Sequence, residues 1–309
     1  MFSTTTSDSD HMIASEAAKG SVLFLGGEGR ETITSACDKA YIFSGPGNDE
    51  IFVDGSRNTL RTGDGDDLVH ILSGDDADIR GGSGIDTVDF SEAVNEKGLL
   101  FGSVKAGDNG LSFFVSDNFF MDIERLVGTR QADTFRFSGA DMTDAWTTYC
   151  LDGGGGDDRI AFIEQDGPIS VDLAKGKASV GELLGSGTLE IDLIGINQIT
   201  AGNGNDVLTG NERDNLLEGN AGADTLDGGA GDDILAGGYG ADRFILSEGE
   251  DVIQDFDPHA GDRLVGSGSF TDTTFEEHHA VEVAGTIIDD PYKDAAYYND
   301  LAAQGLIWA

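Results

Sequence analysis

Aspartates recur beside glycines at one fixed spacing, and that pairing is the chemistry this sequence offers. From Ala201 the chain reads AGNGNDVLT, GNERDNLLE, GNAGADTLD, GGAGDDILA, GGYGADRFI and LSEGEDVIQ, six nine-residue units in one unbroken frame. The sixth place holds Asp206, Asn215, Asp224, Asp233, Asp242 and Asp251, and the eighth holds Leu208, Leu217, Leu226, Leu235, Phe244 and Ile253. Glycines that tolerate left-handed turns lead into the acids: Gly202 and Gly204, Gly222, Gly229 and Gly231, Gly238 and Gly240. Carboxylates set among glycine-turn carbonyls offer oxygen and nothing else. The ion that suits such a set is Ca²⁺, which takes about six to eight oxygens at forgiving geometry, whereas Mg²⁺ demands a stricter octahedron and keeps its waters. No thiolate or imidazole cluster accompanies the acids, which argues against Zn²⁺ or Cu²⁺.

The same pattern recurs upstream in a more degenerate form. Apolar residues Ile33, Ile42, Ile51, Leu60, Val69, Ile79 and Val88 follow at steps of nine, with one step of ten after Val69. The matching sixth places are Glu31, Ala40, Asp49, Asn58, Asp67, Ala77 and Asp86. The best copies carry Gly45 and Gly47, Gly63 and Gly65, and Gly82 and Gly84. A short third block contains GTRQADTFR, with Asp133, and GGGGDDRIA, with Gly154, Gly156 and Asp158. One Asx-Gly pair is an ordinary turn. Six in phase are a repeat.

Such a unit prescribes its own elements. Places one to six turn the chain, and places seven to nine form a short strand whose alternation sends the eighth side chain inward. Two units close a coil with a strand on each side, so stacked coils make two parallel sheets around a column of apolar residues. No unit buries that residue alone, so stability comes from stacking. Turns 18 residues apart fall into one file. Asp224 then lies near Asp206 and Asp242, and Asp251 near Asp233. In the upstream block one file holds Glu31, Asp49, Asp67 and Asp86, and the other holds Ala40, Asn58 and Ala77. Calcium is expected along one edge of that block and along both edges of the downstream block, with Asn215 a weaker ligand.

Over roughly residues 26–90, 128–163 and 200–266 these units resemble the RTX (repeats-in-toxin, haemolysin-type calcium-binding) family, whose motif is G-G-x-G-x-D-x-U-x. The likeness is to the C-terminal β-roll of serralysin-like proteases. It implies an all-β fold, a right-handed parallel β-roll (β-solenoid) of nonapeptide repeats in about three blocks. It also implies several bound Ca²⁺ ions, about six to eight by the coordination rules, and export by the type I secretion apparatus.

Composition narrows the rest. Eighteen basic against 58 acidic residues give −40, which excludes nucleic acid as a partner and opposes an anionic membrane surface. No run is long and apolar enough to span a membrane. The first residues lack a basic, then apolar, signal-peptide pattern, so secretion is expected by another route. Residues 1–25 are read as a flexible segment, too short for a catalytic domain. Residues 91–127 and 164–199 break the frame and are read as strand inserts packed on the roll. Trp146, in a further insert, is read as a core or cap residue. Residues 267–309 are read as a cap: an N-cap at Asp290, Pro291 at the first helical position, a helix over 292–304 and a stop at Gly305. That tail either closes the sheet edge or serves as a secretion signal. Cys37 and Cys150 are expected as buried free thiols, though they could pair. Neither H-E-x-x-H nor G-x-S-x-G occurs, and His278 and His279 read as surface residues. The chain is therefore expected to bind calcium outside the cell without catalysis. Its alternatives are the accessory part of a secreted enzyme, or a calcium-dependent adhesin for a cell surface or polysaccharide.

Overall fold

In this computed structural model the described residues are 2–4, 11–14, 22–74, 76–94, 99–107, 110–115, 118–138, 148–181, 188–268, 271–275, 278–289 and 293–308. Trp146, Asp290 and Pro291 lie outside them. The chain divides into two compact units, Met1–Asp158 with Leu184–Gly195, and Arg159–Leu183 with Ile196–Ala309.

The nine-residue period becomes geometry in the first unit. Successive strands alternate between two parallel ladders. One contains Val22–Leu25, Ala40–Phe43, Thr59–Asp64 and Asp78–Ser83. The other runs through Thr32–Ser35, Glu50–Asp54, Leu68–Ser73, Thr87–Asp89, Arg125–Val127 and Tyr149–Asp152. Ile33, Ile51, Val69, Val88, Leu126 and Leu151 stand directly opposite one another, and all are buried. Each contributes about 1.5–3 kcal/mol by leaving water, a gain available only once its neighbours are in place.

The insert after Phe90 does not lie on top of the roll as expected. Leu100–Gly107, Gly110–Val115 and Asn118–Ile123 form an antiparallel meander inside the first ladder. Its last strand pairs in parallel with Asp78–Ser83 and its first with Thr134–Ser138. A roll interrupted in mid-stack has an open edge of unpaired N–H and C=O groups, and the meander satisfies that edge. Its core is aromatic: Phe90 meets Phe101 and Phe120 edge-on at 5.4 and 5.6 Å, and Phe101 stacks on Phe135 at 4.6 Å.

In the second unit the downstream frame appears strand for strand. Val207–Thr209, Thr225–Asp227, Arg243–Ile245 and Arg263–Val265 form one parallel ladder, and Ile196–Thr200, Leu216–Glu218, Ile234–Ala236, Val252–Ile253 and Thr286–Ile288 the other. The insert strand Ile169–Asp172 joins the first ladder beside Val207–Thr209 and folds back on Lys177–Val180. The C-terminal helix is Ala295–Ala303, and its N-cap is Asp294, whose side chain accepts from the Tyr297 N–H, rather than Asp290. Gly305 takes φ +72° at its end. Beyond it the Ile307 carbonyl accepts from the Leu264 N–H at 2.8 Å, and Trp308 bridges Leu264. The tail thus covers the last strand of its ladder. Cys37 and Cys150 are free thiols, the first buried and the second partly so.

Candidate metal centre

Most repeat aspartates are tied into their file at two main-chain points. One carboxylate oxygen accepts the N–H of the sixth-place residue one coil earlier. Asp49 accepts from Glu31, Asp67 from Asp49, Asp224 from Asp206, Asp242 from Asp224 and Asp233 from Asn215, at 2.7–2.8 Å. Asp86 accepts from Asp67 at 3.0 Å and Asp251 from Asp233 at 3.2 Å. The aspartate carbonyls in turn accept from the seventh residue of the next coil, as Asp224 does from Arg243 at 2.8 Å.

The glycines make this stacking possible. Gly222, Gly231, Gly240 and Gly249, in the fourth place, have φ between +110° and +148°. A Cβ on Gly240 would clash outright with the Gly222 carbonyl oxygen, and one on Gly65 with that of Gly47. Gly45, Gly63, Gly82, Gly154, Gly229 and Gly238, in the second place, and Gly47, Gly84 and Gly156, in the fourth, are also left-handed. Gly202 and Gly204 stand against the carbonyls of Gln165 and Gly167 instead. The first-place glycine makes room for the carboxylate itself, since a Cβ on Gly228 would overlap Asp233 Oδ2.

The second carboxylate oxygen carries the chemistry. Asp49, Asp67, Asp86, Asp224, Asp233 and Asp242 are at most 2% exposed, and the Oδ2 atom of each has no hydrogen-bond partner among the described residues. An unpaired buried acceptor costs about 1–3 kcal/mol, and more when charged. Protons answer that cost when nothing else does. Burial raises Asp67 to about 6, Asp224 and Asp233 to about 7, and Asp86 to about 8. Charges of Asp206 and Asp242 add to the rise at Asp224. Burial also raises Asp206 to about 6, and Asp133, Asp242 and Asp251 upward. A hard divalent cation satisfies the same oxygens without protonating them, so the donor set fits calcium.

Other expected ligands are differently employed. Asp206 accepts from Ile169 and Gly202, Asp251 from Asp233 and Ser247, and Asp133 from Thr129 and Leu99. The Asn215 amide is spent on the Asn211 N–H and the Asn197 carbonyl. Asp158 accepts from Asp133 at 2.7 Å, and Glu31 from Gly27 at 3.1 Å. Among the described residues, no three His, Cys, Asp or Glu side chains gather into a metal-binding group. Most of a cation's oxygens would therefore come from main-chain carbonyls.

The file of Ala40, Asn58 and Ala77 is built on another turn. Its glycines, Gly55 and Gly74, fall in the third place, and Lys39, Arg57 and Asp76 in the fifth are left-handed at φ +60° to +62°. Asn58 accepts from Ala40 and donates to Gly55. Two acids that prolong the files escaped the nonapeptide frame. Asp262 accepts from Asp242 at 2.9 Å, 20 residues on, and Glu124 from Asp86 at 2.7 Å, 38 residues on. Asp262-Arg263-Leu264 does repeat the local pattern of Asp242-Arg243-Phe244, so its spacing alone hid it. Nothing local marks Glu124.

A family model of the RTX calcium-binding nonapeptide repeat, four copies long, matches residues 43–78 and, in overlapping windows, 194–220, 200–235, 209–244 and 218–253. No curated protein matches the chain. Among 33 solved chains that match is the extracellular lipase LipA from Serratia marcescens, at 20% identity and a TM-score of 0.23. That match covers 88% of this chain, which spans 38% of the lipase's length. Family model and turn geometry meet on the same residues: the repeats within 43–78 and 194–253 match the RTX calcium-binding nonapeptide repeat.

Proposed function

We propose that this protein folds into its roll on binding several Ca²⁺ ions outside the cell and has no catalytic activity of its own. The observation that carries the proposal is the set of six buried carboxylate oxygens in stacked glycine turns that have no hydrogen-bond partner among the described residues. A bound calcium ion supplies positive charge and a coordination shell wide enough for carboxylate and carbonyl oxygens together.

The rest falls to the chain. In a low-calcium cytosol its −40 charge opposes compaction. The unfolded chain then suits a secretion channel. Outside, Asp224, Asp233 and Asp242 present their free oxygens only when neighbouring coils are stacked, so binding free energy becomes folding free energy. Each filled turn fixes the backbone that the next one needs, and uptake is cooperative.

A calcium titration followed by far-UV circular dichroism tests this, with chelator reversal and a magnesium control. Strand signal should rise steeply with calcium, fall on chelation, and respond weakly to magnesium. Equal strand signal in magnesium, or full signal without metal, refutes the proposal. Calcium-dependent passage through a type I secretion apparatus would be read from medium and cell fractions.

A further inference from the structure

The first unit's acidic file continues past the end of its nonapeptide frame, at a place the repeat pattern does not reach. Between Asn118–Ile123 and Arg125–Val127 the chain turns around a single residue, Glu124, instead of a six-residue loop. Glu124 nevertheless stands where the next repeat aspartate would. Its carboxylate accepts the Asp86 N–H at 2.7 Å, as Asp242 accepts that of Asp224 at 2.8 Å. The longer glutamate side chain replaces the missing loop.

The main chain repeats the substitution. A Cβ on Gly219 would meet both Asp224 Oδ2 and the carbonyl of Gly237 in the next coil. A Cβ on Gly81 would likewise meet Asp86 Oδ2 and the carbonyl of Asp122. Asp122 thus takes the part of a first-place glycine, and it holds φ +59°, uncommon for a residue with a side chain. Asp86 is 1% exposed and Glu124 4%, and Asp86 Oδ2 has no hydrogen-bond partner among the described residues. The charges acting on Asp86 are acidic: Asp67, Glu124 and Asp66.

We infer that Asp86, Glu124 and the Asp122 carbonyl form an additional calcium site, half repeat and half insert. The inference rests on the calcium reading of the turns above. The site lies outside the segments that match the family model, 43–78 and 194–253. It also has a structural consequence. Asn118–Ile123 and Arg125–Val127 belong to opposite ladders, so an ion at this corner fastens the insert to the roll on both sides.

Equilibrium dialysis of the full chain against Ca²⁺, comparing the parent with Glu124→Gln, tests it. Glutamine keeps an acceptor for the Asp86 N–H and removes the charge. We expect one bound ion fewer per chain, with unchanged circular dichroism in saturating calcium. An unchanged ion count overturns the inference. Should Glu124→Gln fail to fold, anomalous scattering from parent crystals grown in calcium decides. A peak between Asp86 and Glu124 supports the site. Peaks at Asp224 and Asp233 with none at this corner overturn it alone. A parent chain that binds no calcium rejects the reading of the turns, and this site with it.

Discussion

Acid should stabilise the metal-free roll and weaken the calcium-loaded one, so the two pH dependences should cross. Asp224 and Asp233 rise from 3.8 to about 7 on folding, mainly through burial. A group raised on folding gives its full stability below its unfolded value and loses it as pH climbs through its folded value. For these two the window is about pH 4 to 7. Between pH 5 and pH 8 each costs the metal-free fold about 2–3 kcal/mol. The pair together costs about 5 kcal/mol, comparable to the whole stability of a modest domain. Asp86, raised to about 8, extends the loss to higher pH in the first unit. With calcium the sign reverses, because ligation needs the ionised carboxylate and protons compete with the ion. Far-UV circular dichroism at pH 5 and pH 8, in chelator and across a calcium titration, reads both limbs. Strand signal in chelator should be greater at pH 5, and the calcium midpoint should be lower at pH 8. A chelator signal indifferent to pH, or a midpoint that improves on acidification, would refute the argument that these oxygens are held at electrostatic cost.

Single substitutions separate the contributions. Asp233→Asn keeps the acceptor for Asn215 and removes the charge, so ion count should drop while metal-free strand content rises; dialysis and circular dichroism read the two effects. Gly240→Ala places a Cβ on the Gly222 carbonyl at φ +148° and should raise the calcium midpoint severalfold. Gly305→Ala, also left-handed at φ +72° but with nothing within 4 Å of its Cβ, should leave that midpoint nearly unchanged. Leu226→Ala in the buried column should cost about 2–5 kcal/mol in calcium-saturated thermal or urea unfolding.

The roll was legible because its period is local. One tight turn and one inward side chain per nine residues suffice to place Leu208, Leu226 and Phe244 opposite one another, and the register follows. The insert was not, because Leu100–Gly107 and Asn118–Ile123 are placed by an open sheet edge, and edges are a property of the stack rather than of any segment. The helix begins after Asp294 rather than Asp290 because the Asp294 carboxylate reaches the Tyr297 N–H at 2.9 Å and makes the cap. The motif does not show how each side chain is employed. Asp206 and Asp251 fit it as well as Asp224 does, and Asn215 as a weaker ligand, and hydrogen bonds already occupy all three.

That difference in employment follows position in the file. Asp206 opens the file of Asp224 and Asp242, Asp262 closes it, and both carboxylate oxygens of each end member accept N–H groups. In the other file Asp251 likewise has both oxygens engaged, while Asp233, one coil before it, has one free. The free oxygens are therefore interior, at Asp224, Asp242 and Asp233. A carboxylate at an end can turn to its own loop, as Asp206 does to Gly202 and Asp262 to Asp257. One in the middle is held between two coils and can be completed only by something that enters the stack. Cation affinity should thus be highest in the middle of each file and fall toward its ends, and roll stability should depend more on Asp224 and Asp233 than on Asp206 or Asp251.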